Sequence, residues 1–330
     1  MAQFDPKNLK TIGVYASGGD APGMNAAIRA VVRTAISQNL KVVGIVQGYT
    51  GFLEKKFIPM DLRSVANIVQ RGGSILKAGR CVDFLQAEVR KTAVENVRAA
   101  GIGGLVCIGG DGSFTGANLL WQEHKMPIVG VPGTIDNDIF GTDHTIGFDT
   151  AVNTALDAID RIRDTAASHD RLFIVEVMGR DSGFIAVAAG LAGGAEDIFI
   201  PEHPFQIEKT VDLIKRGVAR GKMSSILVTA EGQKPGRAYD LADSIRKHSG
   251  YLATVCILGH IQRGGTPSAS DRLLASRIGS GAVEKLIQGQ CDIMVGTSGE
   301  NLVAVELSQC LKQKKHVNRK LIELAQILSN

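Results

Sequence analysis

Short apolar runs alternate with longer amphipathic stretches along most of this chain. Thr11–Ala16, Leu105–Ile108, Ile128–Val131, Leu172–Val177, Ser225–Ala230 and Thr254–Leu258 are brief and rich in Val and Ile. Continuous apolar runs of that length predict strands buried on both faces. Between them, Met24–Gln38 brings Ile28, Val31, Val32, Ala35 and Ile36 to one face at helical spacing. Asp149–Ala167 does the same with Val152, Ala155, Leu156, Ile159 and Ile162. Strand–helix alternation of this kind predicts an α/β fold, a parallel sheet covered by helices. Such sheets bind ligands beyond the carboxyl ends of their strands.

A length of 330 residues suggests two domains. From the residues alone, a boundary falls near Gly141–Gly147, where a glycine-bearing loop precedes a long helix. The hydrophobic fraction of 44% and charged fraction of 21% are ordinary for a soluble globular protein and argue against disorder. A net charge of +4 points to neither nucleic acid nor membrane as a partner, yet leaves room for local basic pockets that take phosphorylated small molecules. Glycine is in excess, 39 residues against the usual ~7% of a chain. That excess suggests tight strand-to-helix turns, or backbone that approaches ligands closely. No apolar run is long enough for a membrane span, and Met1–Lys10 is too polar for a secretory signal. Cys81, Cys107, Cys256, Cys291 and Cys310 are scattered and form no metal or disulfide pattern, as expected of reduced thiols in the cytoplasm.

Four motifs carry chemistry. Ser17-Gly18-Gly19-Asp20-Ala21-Pro22-Gly23 follows a strand and precedes a helix, so free backbone N–H groups and the helix N-terminus can face an anion. A plain strand-to-helix turn would look similar, and the motif is neither G-x-G-x-x-G nor a Walker A loop. Gly109-Gly110-Asp111-Gly112-Ser113 places an acid among glycines at a strand's end, where it can hold Mg²⁺ beside a polyphosphate. Pro132-Gly133-Thr134-Ile135-Asp136-Asn137-Asp138 carries two acids two residues apart, which an extended backbone would aim the same way. One such acid can accept a proton from an attacking hydroxyl while the other supports it. The fourth group is basic: Arg171, Met178-Gly179-Arg180 and His260-Ile261-Gln262-Arg263 border strands, and arginine's fork matches phosphate oxygens. Together these residues suggest Mg²⁺-assisted phosphoryl transfer to a hydroxyl of a small anionic acceptor.

In this order, Ser17–Arg29, Ile108–Ser113, Pro132–Ile139, Ser168–Arg171, Val175–Arg180, Ala230–Gly232 and Leu258–Arg272 resemble the ATP-dependent 6-phosphofructokinase family of bacterial type. The resemblance implies two Rossmann-like three-layer α/β domains with mainly parallel sheets. The larger, 1–147 with 262–312, would bind ATP; the smaller, 148–261 with 313–330, would bind fructose 6-phosphate. It implies transfer of the γ-phosphoryl of ATP to O1 of fructose 6-phosphate, a step of glycolysis. Asp136 takes the general-base position, supported by Asp138, Thr134 and Arg180. Asp111 takes the Mg²⁺ position. Gly19, Arg80, Cys81, Gly110, Asp111, Gly112 and Ser113 match the nucleotide-binding positions. Thr134, Ile135, Asp136, Arg171, Met178, Gly179, Arg180, Glu231, His260, Ile261, Gln262 and Arg263 match the acceptor positions. Arg171 would reach in from a neighbouring subunit, which implies an oligomer, in the family usually a homotetramer.

The resemblance also bears on the donor. Diphosphate-dependent relatives carry Asp where this chain has Gly112 and Lys where it has Gly133, so ATP is favoured, with diphosphate as the alternative. An NAD kinase would account for the Gly-Gly-Asp-Gly stretch alone, and a non-catalytic sugar-phosphate sensor would not need intact acids. Departures from the family pattern are Thr254, where many members have a phosphate-binding arginine, and Lys77, where glycine is common. The family's effector site, which takes ADP or phosphoenolpyruvate, matches at Arg29, Arg33, Arg163, Glu196, Arg220 and Lys222. Leu62, Asn67 and Met223 replace charged residues there, so an altered or weak effector response is expected.

Overall fold

Each apolar run becomes a strand and each intervening amphipathic stretch a helix in a computed structural model that describes residues 2–167, 172–204, 206–222 and 224–328. The chain begins with β1 (Ala2–Gln3), β2 (Thr11–Ala16), α1 (Met24–Ser37), β3 (Lys41–Ile45), α2 (Gly48–Leu53) and β4 (Phe57–Met60). It continues through α3 (Ala87–Ala99), β5 (Gly104–Gly109), α4 (Asp111–His124), β6 (Ile128–Pro132) and α5 (Phe148–Ala167). Then come β7 (Leu172–Val177), α6 (Phe184–Ala192), β8 (Asp197–Phe199), α7 (Ile207–Ala219), β9 (Ser225–Ala230), α8 (Arg237–Ser249) and β10 (Ala253–Ile257). The last elements are α9 (Ala269–Ile287), β11 (Gln290–Cys291), β12 (Ile293–Ser298), β13 (Asn301–Glu306), α10 (Leu307–Lys312) and α11 (Arg319–Leu328). Among the described residues, no helix is long and apolar enough to cross a membrane.

The chain divides into two compact units. The first comprises Met1–Thr134, Ile139–Asp149 and Arg263–Lys315. Its seven-stranded sheet runs β13-β12-β6-β5-β2-β3-β4. The five inner strands are parallel, and β4 and β13 close the edges antiparallel. On one face Tyr15, Ile45, Leu105 and Cys107 pack with Phe52 of α2, Val94 of α3 and Phe114 of α4. Alternate positions such as Val14, Val106 and Val129 are fully buried too, so both faces are covered, as a parallel sheet demands. Helices α1 and α9 pack on each other and on β2, β5 and β6. Ser268 caps α9 by accepting the Asp271 N–H at 3.1 Å, and the Asp271 carboxylate in turn accepts the Gly147 N–H at 2.8 Å.

The second unit comprises Ile135–Asp138, Thr150–Gln262 and His316–Asn330. Its four strands run β10-β7-β9-β8, all parallel. One face packs Leu172, Ile174 and Leu227 against Ile214 of α7 and Leu241 and Ile245 of α8. The other face meets α6, where Gly190 lies directly over Ile198 and Val228.

Two expectations are corrected. β10 is not buried on both faces: it forms the sheet's edge, and Thr254 and Ile257 are exposed. Nor is Asp136–Asp138 extended. Asn137 sits in the left-handed region with φ 53°, so the alternation rule for paired carboxylates does not apply there. The pattern also missed β3, β4, β8, β12 and β13, which are short, glycine-bearing or mixed in polarity.

Candidate active site

In the first unit the motif loops gather at the carboxyl edge of the large sheet. The parallel register sets Ala16 beside Ile108 and Gly109 beside Pro132, so the loops after β2, β5 and β6 leave at one level. Backbone hydrogen bonds extend that alignment, from Ser17 N–H to the Ile108 carbonyl and from Gly133 N–H to the Gly109 carbonyl, each at 3.0 Å. Gly18 N–H reaches the Gly79 carbonyl at 3.2 Å, bringing the turn that carries Arg80 and Cys81 to the same edge. Gly110 backs onto Thr134, with only 3.6 Å between an added Cβ and Thr134 Cβ.

Asp111 is the first residue of α4 and is exposed, a placement the helix dipole favours for an anion. Gly112 faces open space, since an added Cβ would meet nothing within 4 Å. Ser113, by contrast, is buried beneath the loop, with its hydroxyl packed against Gly109 and Gly18. Arg263 lies across Gly19. Its guanidinium donates to the Asp20 carbonyl at 3.3 Å and fills the space that a side chain at Gly19 would take. Among the described residues, no group of three or more His, Cys, Asp or Glu is arranged to hold a metal ion.

The second unit repeats the arrangement at its own sheet. Glu231 N–H bonds the Val177 carbonyl at 2.8 Å, and Leu258 N–H bonds the Glu176 carbonyl at 3.0 Å. The ends of β7, β9 and β10 thus bring together Met178-Gly179-Arg180, Glu231 and His260. Gly179 has φ 143°, and a Cβ there would strike the Ser182 carbonyl at 2.3 Å, so only glycine fits. Arg180 follows in the left-handed region at φ 50°, a strained setting for a non-glycine residue and one that clusters at functional sites. Ser182 Oγ donates to the Asp136 carbonyl at 2.9 Å, tying the acid-bearing segment Ile135–Asp138 to this loop. Asp136 is buried and Asp138 half-buried. Ile135 is fully buried, whereas His260 and Ile261 are exposed.

Gln262 is wholly buried. Its carbonyl oxygen accepts the Met178 N–H at 2.8 Å, and its amide donates to the Ala151 carbonyl at 3.2 Å. It props the Met178 loop from beneath. Arg171 lies outside the described residues, with the rest of Ser168–Arg171, as does Met223.

Two supporting residues escaped the motif reading. Ser182 sits four positions beyond Met178 and looks like any loop serine. Glu176, 1% exposed, accepts the N–H groups of Gly236 and Ala238 at 2.8 Å each and so caps α8 from within β7. The signal for it was present: a lone acid inside an apolar run is either an error or a partnered group. Burial holds the nearby Arg237 guanidinium below its usual range, opposed by the charges of Glu176 and Glu202.

At the expected effector positions, Glu196 is buried, accepts the Ile226 N–H and pairs with Lys222. Arg163 donates to the Gly194 carbonyl at 3.0 Å and also to that of Gly193. Leu62 is exposed, and Asn67 adopts φ 54°, a conformation asparagine tolerates.

A family model described as Phosphofructokinase matches residues 11–286. The chain is 55% identical over 321 residues to a protein of Thermus thermophilus named ATP-dependent 6-phosphofructokinase 1, covering 97% of this chain and 100% of that one. Among solved structures, a phosphofructokinase from Saccharomyces cerevisiae superposes with a TM-score of 0.85 at 36% identity, over 92% of this chain and 45% of that one. A pyrophosphate-dependent phosphofructokinase from Marinobacter aquaeolei superposes with a TM-score of 0.83 at 26% identity, over 97% of this chain and 91% of that one. With two α/β units, glycine- and acid-bearing loops at both sheet edges and similarity over nearly its whole length, this chain belongs to the phosphofructokinase family.

Proposed function

We infer that this chain is an ATP-dependent 6-phosphofructokinase. It transfers the γ-phosphoryl of ATP to O1 of D-fructose 6-phosphate, forming fructose 1,6-bisphosphate and ADP in the cytoplasm. The observation that carries this reading is the gathering of Ser17–Gly23, Gly79–Cys81, Gly110–Ser113 and Gly133–Thr134 at one carboxyl edge, in a chain of this family. Backbone N–H groups without side chains in the way suit a polyphosphate.

The first unit takes ATP. Gly19, Arg80, Cys81 and Gly110–Ser113 line the phosphates, and Arg80 offsets charge on the group in transfer. Asp111, an exposed carboxylate at the start of α4 next to the open Gly112 position, fits Mg²⁺, which keeps most of its waters and otherwise binds the substrate's phosphates. When bound, that ion would neutralise charge on the donor phosphates.

The second unit takes the sugar phosphate through Ile135, Met178, Gly179, Arg180, Glu231, His260 and Ile261, with Gln262 in support. Arg171, Thr134 and Arg263 complete the acceptor contacts. Asp136 accepts the proton of the 1-hydroxyl as O1 attacks the γ-phosphorus. The new O1–P bond forms while the bond to the β-phosphate oxygen breaks, and ADP leaves. Asp138 supports the base, and Thr134 places the reacting groups. The chain self-associates as a homotetramer, for which the exposed edge of β10, with Leu252 and Ile257, offers surface. Its response to ADP or phosphoenolpyruvate is altered or weak, because Leu62, Asn67 and Met223 lack the family's charges.

Two glycines speak against diphosphate as donor. A Cβ at Gly133 would already stand 3.0 Å from Ile108 Cγ2 and 3.2 Å from Met24 Cε, so a lysine there must displace core atoms. Gly112 opens onto free space that an Asp would fill with negative charge, beside phosphates in this reading. The test is a coupled assay of the purified chain with fructose 6-phosphate and either ATP or diphosphate. Turnover with ATP supports the reading; turnover with diphosphate alone, or with neither, overturns it.

A further inference from the structure

Two turns of the first unit are fastened to a single buried side chain, that of Tyr49 on α2. Its ring stacks on Phe84, with centroids 4.0 Å apart and planes at 21°. Phe84 belongs to the helical turn Val82–Leu85, which directly follows Arg80 and Cys81. The Tyr49 hydroxyl donates to the Ser113 carbonyl at 2.5 Å, in the first turn of α4, two residues beyond Asp111.

The proton order is set by a second phenol. Tyr15 donates to the Tyr49 oxygen at 3.0 Å, and Tyr49 donates to Ser113. Burial, foremost, pushes both phenols well above their ordinary range, so both stay protonated donors. α4 makes room for the ring: a Cβ on Gly116 would come within 2.7 Å of Tyr49 Cζ and Oη. At the far end, Arg90 donates to the Phe84 and Leu85 carbonyls at 2.9 and 2.8 Å and clasps Glu123 of α4 at 2.7 and 2.6 Å. The Val82–Leu85 turn is therefore held to α4 at both ends of that helix, by Tyr49 near Asp111 and by Arg90 near Glu123.

We propose that Tyr49 is a positioning residue for the nucleotide, one that fixes the Arg80–Cys81 turn and the Asp111 turn at a set spacing. The proposal rests on reading those two turns as the ATP site. Tyr49 itself touches none of the reacting atoms. Phenylalanine at this position keeps the ring stack but leaves the Ser113 carbonyl and the Tyr15 hydroxyl facing each other without the donor that joined them. In a dry core that loss shifts backbone rather than recruiting water. The arrangement makes the Tyr49 hydroxyl more costly to lose than the Tyr15 hydroxyl, whose removal leaves the bond to Ser113 in place.

The experiment is ATP titration by calorimetry, in the presence of Mg²⁺, on wild type, Y49F, G116A and Y15F. It is paired with the KM for fructose 6-phosphate and a circular dichroism spectrum of each. Loss of one buried hydrogen bond corresponds to about fivefold or more, so Y49F is expected to raise the Kd for ATP by that factor. G116A, which keeps the hydroxyl but pushes the ring away, should do the same, while Y15F stays within about twofold of wild type. The KM for fructose 6-phosphate should not move in any of them, which a merely structural role would not spare. If Y49F does not fold, G116A decides. The proposal is overturned if folded Y49F and G116A bind ATP as wild type does, or lose nucleotide and acceptor affinity in parallel. Failure of wild type itself to bind ATP would instead remove the assignment of the nucleotide site, and this inference with it.

Discussion

The hydroxyl of Ser182 donates to the main-chain carbonyl of Asp136 at 2.9 Å, so the acid assigned as base is held by the loop that also carries Gly179 and Arg180. Asp136→Ala removes the proton acceptor and is expected to lower kcat by about 10²–10⁴-fold, with the Kd for ATP unchanged. Ser182→Ala leaves the carboxylate in place but frees its backbone, and should lower kcat by about tenfold or less. Steady-state kinetics with calorimetric ATP binding check both. An unaltered kcat in Asp136→Ala would take this residue out of the base role.

Gly112→Asp tests why the donor is ATP. The position is open, so the variant should fold with its Tm unchanged. On the proposed assignment of the nucleotide site the added charge would lie beside the donor phosphates, and kcat/KM for ATP should fall by about 10²-fold, roughly 2.7 kcal/mol. Kinetics with ATP and with diphosphate give the answer; equal use of ATP by the variant would show that the charge does not face the donor.

Glu176 holds the start of α8 from inside the small sheet. Glu176→Ala leaves the Gly236 and Ala238 N–H groups unsatisfied in a buried setting, at a cost of about 2–4 kcal/mol. Urea unfolding should register that loss in the midpoint. Since α8 follows the Glu231 loop, the KM for fructose 6-phosphate should rise as well. A variant as stable as wild type would mean that water replaces the carboxylate.

The Arg90–Glu123 pair predicts a pH dependence. Arg90, chiefly through its hydrogen bonds, holds the Glu123 carboxyl below its ordinary value of 4.5. As the pH falls below that value, the unfolded chain binds a proton that the folded chain refuses. The pair's stabilisation is therefore complete above about 4.5 and drains away as the pH drops toward the folded-state value. Glu123→Gln should lack that part of the acid slope. Urea melts of both proteins from pH 6 downward test it, and parallel curves would contradict it.

The fold was legible where chemistry is repetitive. Val- and Ile-rich runs gave the buried parallel strands, because a strand covered on both faces has no polar side to show. β10 read the same way, yet it lies at an edge; its composition of Ala253–Ile257 does not say which neighbour it has on either side. β3 and β8 were too short or too mixed to register. The glycine- and acid-bearing loops were legible because strand ends in such sheets converge. What hid was anything fixed across long sequence distances. The left-handed Asn137 cancelled the simple alternation of Asp136 and Asp138. The Tyr15–Tyr49–Ser113 chain joins residues from one strand and two helices, and no local spacing announces it.

The most direct measurement of the central claim follows the phosphoryl group itself. The purified chain is incubated with Mg²⁺, fructose 6-phosphate and ATP labelled in the γ-phosphoryl group, and the sugar product is isolated. Label at O1 of fructose 1,6-bisphosphate, in amounts matching the ADP formed, is the predicted outcome. Label released only as inorganic phosphate, or retained in ATP, would contradict it.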